Sequence, residues 1–154
     1  MSAVASASIS HHAFFAGLPQ AFAERLASLA TPRELRIGEL LFRHGDRADA
    51  FFLIEHGLVS IELYAPGRDP VVVEQVGEGD VAGWSWLVPP YLWTFDARAV
   101  EHARLIEIDA AALRRRFESE PELGYEVVRR FIPVMARRMA SARERLVECA
   151  IDRP

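Results

Sequence analysis

The spacing of hydrophobic and polar positions changes twice along this chain of 154 residues. In the first zone, residues 12–32, large apolar side chains recur at three and four positions, which places them on one helical face. These side chains are Phe14, Phe15, Leu18, Phe22, Leu26 and Leu29. Gly17 and Pro19 interrupt the pattern, so we expect short N-terminal helices here.

The second zone, residues 33–109, has the period of β-strands. Val59, Ile61 and Leu63 alternate with polar neighbours, which predicts strands with one buried and one wet face. Frequent glycines, and the turn-forming stretch at 65–70, separate these short runs. Short strands with frequent turns are typical of a jelly roll or a barrel rather than of a parallel sheet with crossover helices.

The third zone, residues 110–150, returns to a helical period. Asp109 is placed to cap a first helix, and Pro121 to begin a longer one. Apolar residues in the longer helix are spaced 4, 3, 4, 3, 4, 3, which is the a/d seam of a coiled coil. They are Val128, Ile132, Met135, Met139, Ala142, Leu146 and Cys149. We therefore expect a homodimer through the helix Val128–Cys149.

Composition narrows the class of protein. Hydrophobic residues make up 51% and charged residues 26%, an ordinary globular balance. The net charge of -4 argues against a general nucleic-acid binder, and no apolar run is long enough to span a membrane. The single cysteine, Cys149, excludes an internal disulfide framework and fits a cytoplasmic location. Residues 1–11 are mostly small and polar, so we expect a disordered tail there.

Three glycine-containing segments carry a resemblance to a known family. Gly38–Asp46 and then Phe52–Ile61 look like the first half of a cyclic-nucleotide-binding β-roll, and Gly79–Gly83 resembles the segment before its phosphate cassette. The chain thus resembles the sensor domain of catabolite-activator-like proteins. The resemblance implies a single α+β domain over 12–150, with about eight antiparallel strands in a jelly-roll β-roll, flanked by N-terminal helices and a long C-terminal helix.

The sequence departs from that family at two positions of the cassette. The family places a Glu after the cassette glycine to accept from the sugar hydroxyl, and an Arg about ten residues later to bind the phosphate. Here Trp84 holds the first position, and the second falls at Trp93 or Thr94. Losing charge-assisted hydrogen bonds weakens binding strongly. We therefore expect that the domain does not bind cyclic AMP in the usual way.

Replacement cations could come from two places. Arg98 lies four residues after Thr94 and shares its face on a regular strand, although an ion pair with Asp96 explains it more simply. The long helix offers Arg129, Arg130 and Arg138, although a solvated helix face is the simpler interpretation. The predicted ligand-contacting surface is Gly83, Trp84, Ser85, Trp93, Thr94 and Arg98.

The function that these features favour is a non-catalytic regulatory domain that senses a small ligand. The ligand is a cyclic nucleotide or another small molecule, and no cofactor is certain. The output passes to a second copy or to a separate protein. DNA binding is not expected, because no helix-turn-helix follows residue 150. One alternative is a protein-interaction module whose aromatic cassette fills its own pocket.

A cupin-like metalloenzyme is the other alternative, because cupins also use a β-roll. Their metal sites need clustered histidines together with a carboxylate. No His-x-His pattern occurs in this chain, and His44 and His56 each stand alone beside a glycine. The histidines therefore give little support to a catalytic metal site.

Overall fold

The structure is a computed structural model that describes residues 2–152. Within that range the chain forms eight strands: Ala30–Leu35 (β1), Leu40–Phe42 (β2), Ala50–His56 (β3), Leu58–Leu63 (β4), Val71–Gly77 (β5), Val81–Ala82 (β6), Asp96–Ala99 (β7) and Ala103–Asp109 (β8). The four α-helices are Ser2–His11 (α1), Gln20–Ala27 (α2), Ala110–Arg116 (α3) and Pro121–Ile151 (α4). Short 3-10 turns cover Ala13–Phe15 and Ser85–Leu87.

The strands pair into two antiparallel sheets of four, in the orders β1-β8-β3-β6 and β2-β7-β4-β5. β4 and β5 form a hairpin whose tip contains the predicted turn at 65–70. Helices precede the strands and follow them, so the predicted α+β jelly roll with N-terminal helices and a long C-terminal helix is confirmed. This arrangement leaves the loop between β6 and β7 at one end of the roll.

An aromatic cluster joins the helices to the strands. Phe131 of α4 packs edge-on against Phe51 of β3 at 5.1 Å and against Trp86 at 5.4 Å between ring centroids. Phe14 contacts Phe131 from the N-terminal side at 4.9 Å. Edge-to-face pairs at these distances stabilise a core beyond their buried area. One cluster therefore holds both helical segments and the β6–β7 loop on β3.

The N-terminus differs from its prediction. The expectation of a disordered tail over 1–11 is wrong for the described residues, because Ser2–His11 forms helix α1. Ile9 is fully buried. His12 Nδ1 accepts from the Phe14 amide, so its Nε2–H donates to the Ile54 carbonyl at 2.7 Å. Val4 and Ile9 are the only branched apolar residues of this segment and do not make a helical period, so only its tertiary contacts reveal its fold.

The boundary of the helical N-terminal zone also shifts. β1 begins at Ala30, within the range 12–32 that was predicted to be helical. Ala30 pairs with Ile108 in the antiparallel ladder of β1 and β8. This ladder overrides the helical spacing of the residues that precede it, since strand pairing depends on a partner that is distant in sequence.

Helix α4 presents two different faces. The face on the roll is buried and consists of Leu123, Gly124, Val127, Phe131, Val134 and Arg138. The predicted seam faces away from the roll, and Ile132, Met139 and Leu146 on it are 60%, 68% and 70% exposed. None of the helices within residues 2–152 is apolar over a membrane-spanning length.

Candidate functional site

The loop between β6 and β7 forms the predicted cassette, and neighbouring main chain fixes its course. The amide of Gly45 donates to the carbonyl of Trp93 at 2.8 Å, and the amide of Trp93 donates to Asp46 at 2.9 Å. The amide of Ala48 donates to the carbonyl of Tyr91 at 2.8 Å. The second half of the cassette, at Tyr91 and Trp93, is therefore held by main-chain hydrogen bonds, as a strand is.

Trp93 fills the space that the cassette encloses. Trp93 is only 6% exposed, and its indole stacks on Phe42 with 3.8 Å between centroids and 12° between ring planes. The indole also lies against the main chain of Gly83, where an added Cβ would come within 2.7 Å of the ring. Gly83 has φ of +93°, a conformation that favours glycine. The glycine therefore permits the close approach of Trp93.

A residual cavity of about 10 Å³ remains beside the indole. That volume holds about one water molecule. Its wall consists of Phe42, Ile61, Gly83, Trp84, Ser85, Trp93, Phe95 and Arg138. In this conformation the cassette has no room for a nucleotide.

The structure brings four of the six predicted site residues together. Gly83, Trp84, Ser85 and Trp93 all line the residual cavity. Thr94 is exposed and is not part of the cavity wall.

Arg98 lies elsewhere, on the outer face of its sheet, because its neighbours Ala97 and Ala99 point into the core. Its Nε donates to Glu62 at 3.4 Å, and its Nη1 donates to the carbonyl of Gly38 at 3.1 Å. The simpler interpretation, an ion pair with Asp96, named the wrong partner, because Glu62 takes that place.

This outer face of the β2-β7-β4-β5 sheet buries polar groups that were expected to be wet. Ser60 and Glu62 are 2% and 7% exposed, and the Ser60 hydroxyl donates to Glu62 at 2.8 Å. The prediction of a wet face on β4 is therefore wrong at these two residues. They stay buried because each has a partner, which removes most of the cost of burial.

Asp96 belongs to the same outer face. It accepts from the backbone amide of His44 at 2.8 Å and from the His44 ring at 2.9 Å. Burial raises the pKa of the Asp96 carboxyl, but the two hydrogen bonds from His44 and the charges of His44 and Arg98 together hold the pKa below its ordinary value. Asp96 thus ties the loop after β2 to the start of β7.

Arg138 of α4 is the buried cation of the pocket, and the sequence interpretation missed it by favouring a solvated helix face. The side chain is 3% exposed and forms part of the cavity wall. Its Nε donates to Glu74 of β5 at 2.9 Å, and its Nη2 donates to the carbonyl of Val81 at 2.7 Å. Burial lowers the pKa of Arg138, and the charge of Glu74 opposes that effect.

The other two helix arginines do not reach the cavity. Arg129 pairs with Glu126 at 2.9 Å on the surface. Arg130 pairs with the same Glu126 at 2.6 Å and donates to the carbonyl of Ala16 at 2.9 Å. The spacing of Val127, Phe131, Val134 and Arg138 along the buried face of α4 is the sequence pattern that distinguishes Arg138.

Arg114 of α3 braces the cassette from outside. Its Nη1 donates to the carbonyl of Trp86 at 2.7 Å, and its guanidinium lies 3.9 Å from the centre of the Tyr91 ring. Its Nη2 also pairs with Asp49 at 3.3 Å. These contacts fix both sides of the cassette loop, so Arg114 is a structural part of the site.

A wider groove of about 780 Å³ lies outside the roll, beside α1. Its wall includes His11, Glu55 and Glu78. It is open to solvent and contains none of the six predicted site residues, so it is a separate surface feature. Across the part of the chain that the structure describes, no group of three or more histidine, cysteine or acidic side chains is placed to hold a metal ion.

Comparisons with known proteins agree with this fold. The M. tuberculosis CRP-like cAMP-activated global transcriptional regulator is 25% identical over 134 residues, which cover 87% of this chain and 58% of the regulator. A Mycobacterium tuberculosis HTH-type transcriptional regulator, Cmr, is 26% identical over 79% of this chain and 48% of its own length. The chain therefore spans only about half to three fifths of these curated relatives.

Two solved structures resemble the fold closely. A Geobacter metallireducens protein named for cyclic-nucleotide binding superposes with a TM-score of 0.72 at 27% identity, over 82% of this chain and 91% of that one. A cyclic nucleotide-binding domain from Methylobacillus flagellatus gives 0.77 at 18% identity, over 93% and 83%. The family model for the cyclic nucleotide-binding domain matches residues 32–120, more than half of the chain. The β-roll, the cassette and this match together show that the chain belongs to the cyclic nucleotide-binding domain family.

Proposed function

We propose that this chain is a non-catalytic regulatory domain in which Trp93 closes the cyclic-nucleotide pocket. It does not bind cyclic AMP in the usual mode. It transmits its state through helix α4 to a second copy of the chain or to a separate output protein. The observation that carries the proposal is the indole of Trp93, packed between Phe42 and Gly83 inside the cassette.

The chemistry of the cassette supports this proposal. A cyclic phosphate is held best by an Arg fork, and a sugar hydroxyl by a carboxylate. The cassette offers neither, since Trp84 and Trp93 stand at those places and the next arginine, Arg98, is engaged by Glu62 outside the roll. A nucleotide would also have to displace a buried tryptophan, which adds the cost of opening the pocket to the cost of binding.

The exposed face of α4 supports an output through association. The residues from Met139 onward contact little of the roll, and Leu146, Val147 and Ile151 are 70%, 58% and 75% exposed. A helix of about 12–15 residues is only marginally stable alone in water. A second α4 that covers the seam would stabilise this segment by burying its apolar side chains.

A pure interaction module is the second candidate. The 10 Å³ cavity favours it, because a pocket that is filled to this degree is already a finished core. In that case Trp93 never leaves, and the domain serves only to present α4 and its outer surfaces. The two candidates differ in whether any small ligand stabilises the folded chain.

A thermal-melting titration of the full chain against cyclic AMP and cyclic GMP tests the proposal. A ligand at about 100 times its dissociation constant adds about 2.7 kcal/mol of stability, so binding would be visible as a rise in Tm. We expect no rise with either nucleotide at millimolar concentration. A clear rise would overturn the closed pocket.

A matched variant shows whether Trp93 is the obstacle. Trp93→Arg places a cation at a cassette position that the family uses for phosphate, and it also removes the indole. If the missing anchor and the indole are the reasons for weak binding, Trp93→Arg should gain a cyclic-nucleotide response that Thr94→Arg lacks, because Thr94 is exposed outside the cavity wall. Circular dichroism of both variants controls for folding.

A further inference from the structure

The residual cavity contains polar groups with unused hydrogen-bonding capacity. Ser85 is 7% exposed, and its hydroxyl makes no hydrogen bond with the residues that the structure describes. Arg138 uses Nε for Glu74 and Nη2 for Val81, while its Nη1 has no hydrogen-bond partner among residues 2–152. Both residues belong to the cavity wall, so they offer a cation and a hydroxyl to a ligand there.

The charge of Arg138 specifies one part of that ligand. A guanidinium remains protonated in proteins, even where burial opposes its charge. Glu74 is shared with Arg137, whose Nε donates to the other carboxylate oxygen at 2.8 Å. An anionic group at the Nη1 side of Arg138 would receive a charge-assisted hydrogen bond, and the Ser85 hydroxyl could donate a second one.

The aromatic residues of the cavity wall specify the rest of the ligand. Phe42, Trp84 and Phe95 line the cavity together with the indole of Trp93. Phe42 already stacks on an aromatic ring at 3.8 Å, so the slot that Trp93 occupies is shaped for a flat ring. A ligand ring of similar size could replace the indole with little loss of contact.

We propose that this slot binds a small aromatic anion when the Trp93 indole moves out, with Arg138 and Ser85 holding the acidic group and Phe42 stacking on the ring. The proposal rests on the proposed function and names the ligand class of the same pocket. Arg138 lies on α4, and its other contacts are to Glu74 on β5 and Val81 on β6. The ligand would thus act directly on the contact between the helix and the roll.

The test uses the full chain carrying Trp93→Ala, which opens the slot. Isothermal titration compares benzoate and phenyl phosphate with benzamide, a neutral compound of similar shape. We expect at least one of the two anions to bind about ten-fold or more tightly than benzamide. A benzoate preference points to a carboxylate ligand and a phenyl phosphate preference to a phosphate ligand. Equal binding of all three, or no binding to a folded variant, would overturn the proposal.

Second-site variants assign the preference to Arg138. Adding Arg138→Met to Trp93→Ala should abolish the anion preference, whereas adding Arg129→Met, on the solvent side of the same helix, should leave it unchanged. Because Arg138→Met removes a buried ion pair, that variant could fail to fold. In that case Glu74→Gln provides the test. It removes the carboxylate charge that competes with the ligand for Arg138, so it should tighten anion binding. Weaker anion binding in Glu74→Gln contradicts the proposal.

The natural chain provides the final comparison. The same anions should bind it with the same preference over benzamide but about ten-fold or more weakly, because the indole must first leave. No anion binding at the highest soluble concentration would show that the natural chain never opens. A cyclic AMP response of the natural chain would instead contradict the proposed function, so the two failures are distinguishable.

Discussion

Gly83 and the indole of Trp93 are packed directly against each other. Replacing Gly83 by alanine puts a methyl group within 2.7 Å of the indole, at a φ of +93°. We expect a loss of about 3 kcal/mol or more in the free energy of unfolding, from backbone strain and overpacking together. Urea denaturation measures it.

Two control variants separate the cost of backbone strain from the cost of overpacking. Gly38 has a similar φ of +88° and open space around its Cα, so Gly38→Ala should show only the conformational cost. In a Trp93→Ala background, Gly83→Ala should cost at least about 1 kcal/mol less than in the natural chain, because the clash is gone. Equal costs in both backgrounds would mean that the indole does not press on Gly83.

Asp96 makes part of the stability dependent on pH. Its pKa is held below the ordinary value in the folded state, so it contributes stability above the unfolded pKa, and that contribution is lost as the pH falls through the folded pKa. Asp96→Asn should therefore be less stable than the natural chain at pH 7, by about 1–2 kcal/mol. The difference should shrink as the pH falls below about 4.

Urea denaturation across pH 3–7 measures this difference. Asp69→Asn, at the exposed hairpin tip, is the matched control and should track the natural chain at every pH. A constant difference between Asp96→Asn and the natural chain would show that the carboxylate does not carry the pH dependence.

At the scale of the element, helix α4 has one face buried against the roll and one exposed apolar face. Leu146→Glu places a charge on the exposed seam without touching the roll. If a second α4 covers the seam, this change should weaken self-association by about ten-fold or more and lower helix content at a given protein concentration. Sedimentation equilibrium and far-ultraviolet circular dichroism measure the two effects.

Ala140→Glu is the matched control, because Ala140 is exposed on the same part of α4 but lies off the seam. It should leave association unchanged. A monomeric natural chain would contradict the homodimer and favour a separate output protein on this face. Weakening of association by both variants would contradict the predicted seam.

Elements whose boundaries depend on local chemistry were predictable from sequence. Asp109 caps α3 through a bond from the Ala112 amide, and Pro121 stands at the first turn of α4, both as expected. The burial of Ser60 and Glu62 was not predictable, because Arg98, which also donates to the Gly38 carbonyl, reaches Glu62 from elsewhere in the sequence. Alternation along a strand shows two faces but not what covers each one.

In the candidate site, too, local features were predictable from sequence and features that depend on distant residues were not. The missing phosphate anchors and the crowding of aromatics could be read from residues 83–96 alone. Which arginine reaches the pocket could not be read from the cassette, since that depends on which face of α4 packs on the roll. Arg138 follows Phe131 and Val134 on the buried face, whereas Arg129 and Arg130 lie on the surface or at its edge.

At the scale of the whole molecule, the N-terminal helix α1 is part of the core. Ile9 is fully buried, so Ile9→Ala should lower the free energy of unfolding by about 2–4 kcal/mol. Ile37→Ala, at a residue that is 73% exposed, should change it by less than about 0.5 kcal/mol. Chemical denaturation measures both, and equal small effects would restore the interpretation of residues 1–11 as a disordered tail.

Because Arg138 attaches α4 to the roll, a small tilt of the helix there produces a larger displacement at its C-terminal end. The residues from Met139 to Ile151 extend about 20 Å beyond that attachment, at about 1.5 Å per residue. A tilt of about ten degrees at the attachment would therefore move the end of the helix by about 3–4 Å, which is more than the donor–acceptor distance of a typical hydrogen bond. A protein bound to the end of α4 would therefore be displaced by several ångströms when the contact between Arg138 and Glu74 shifts by much less.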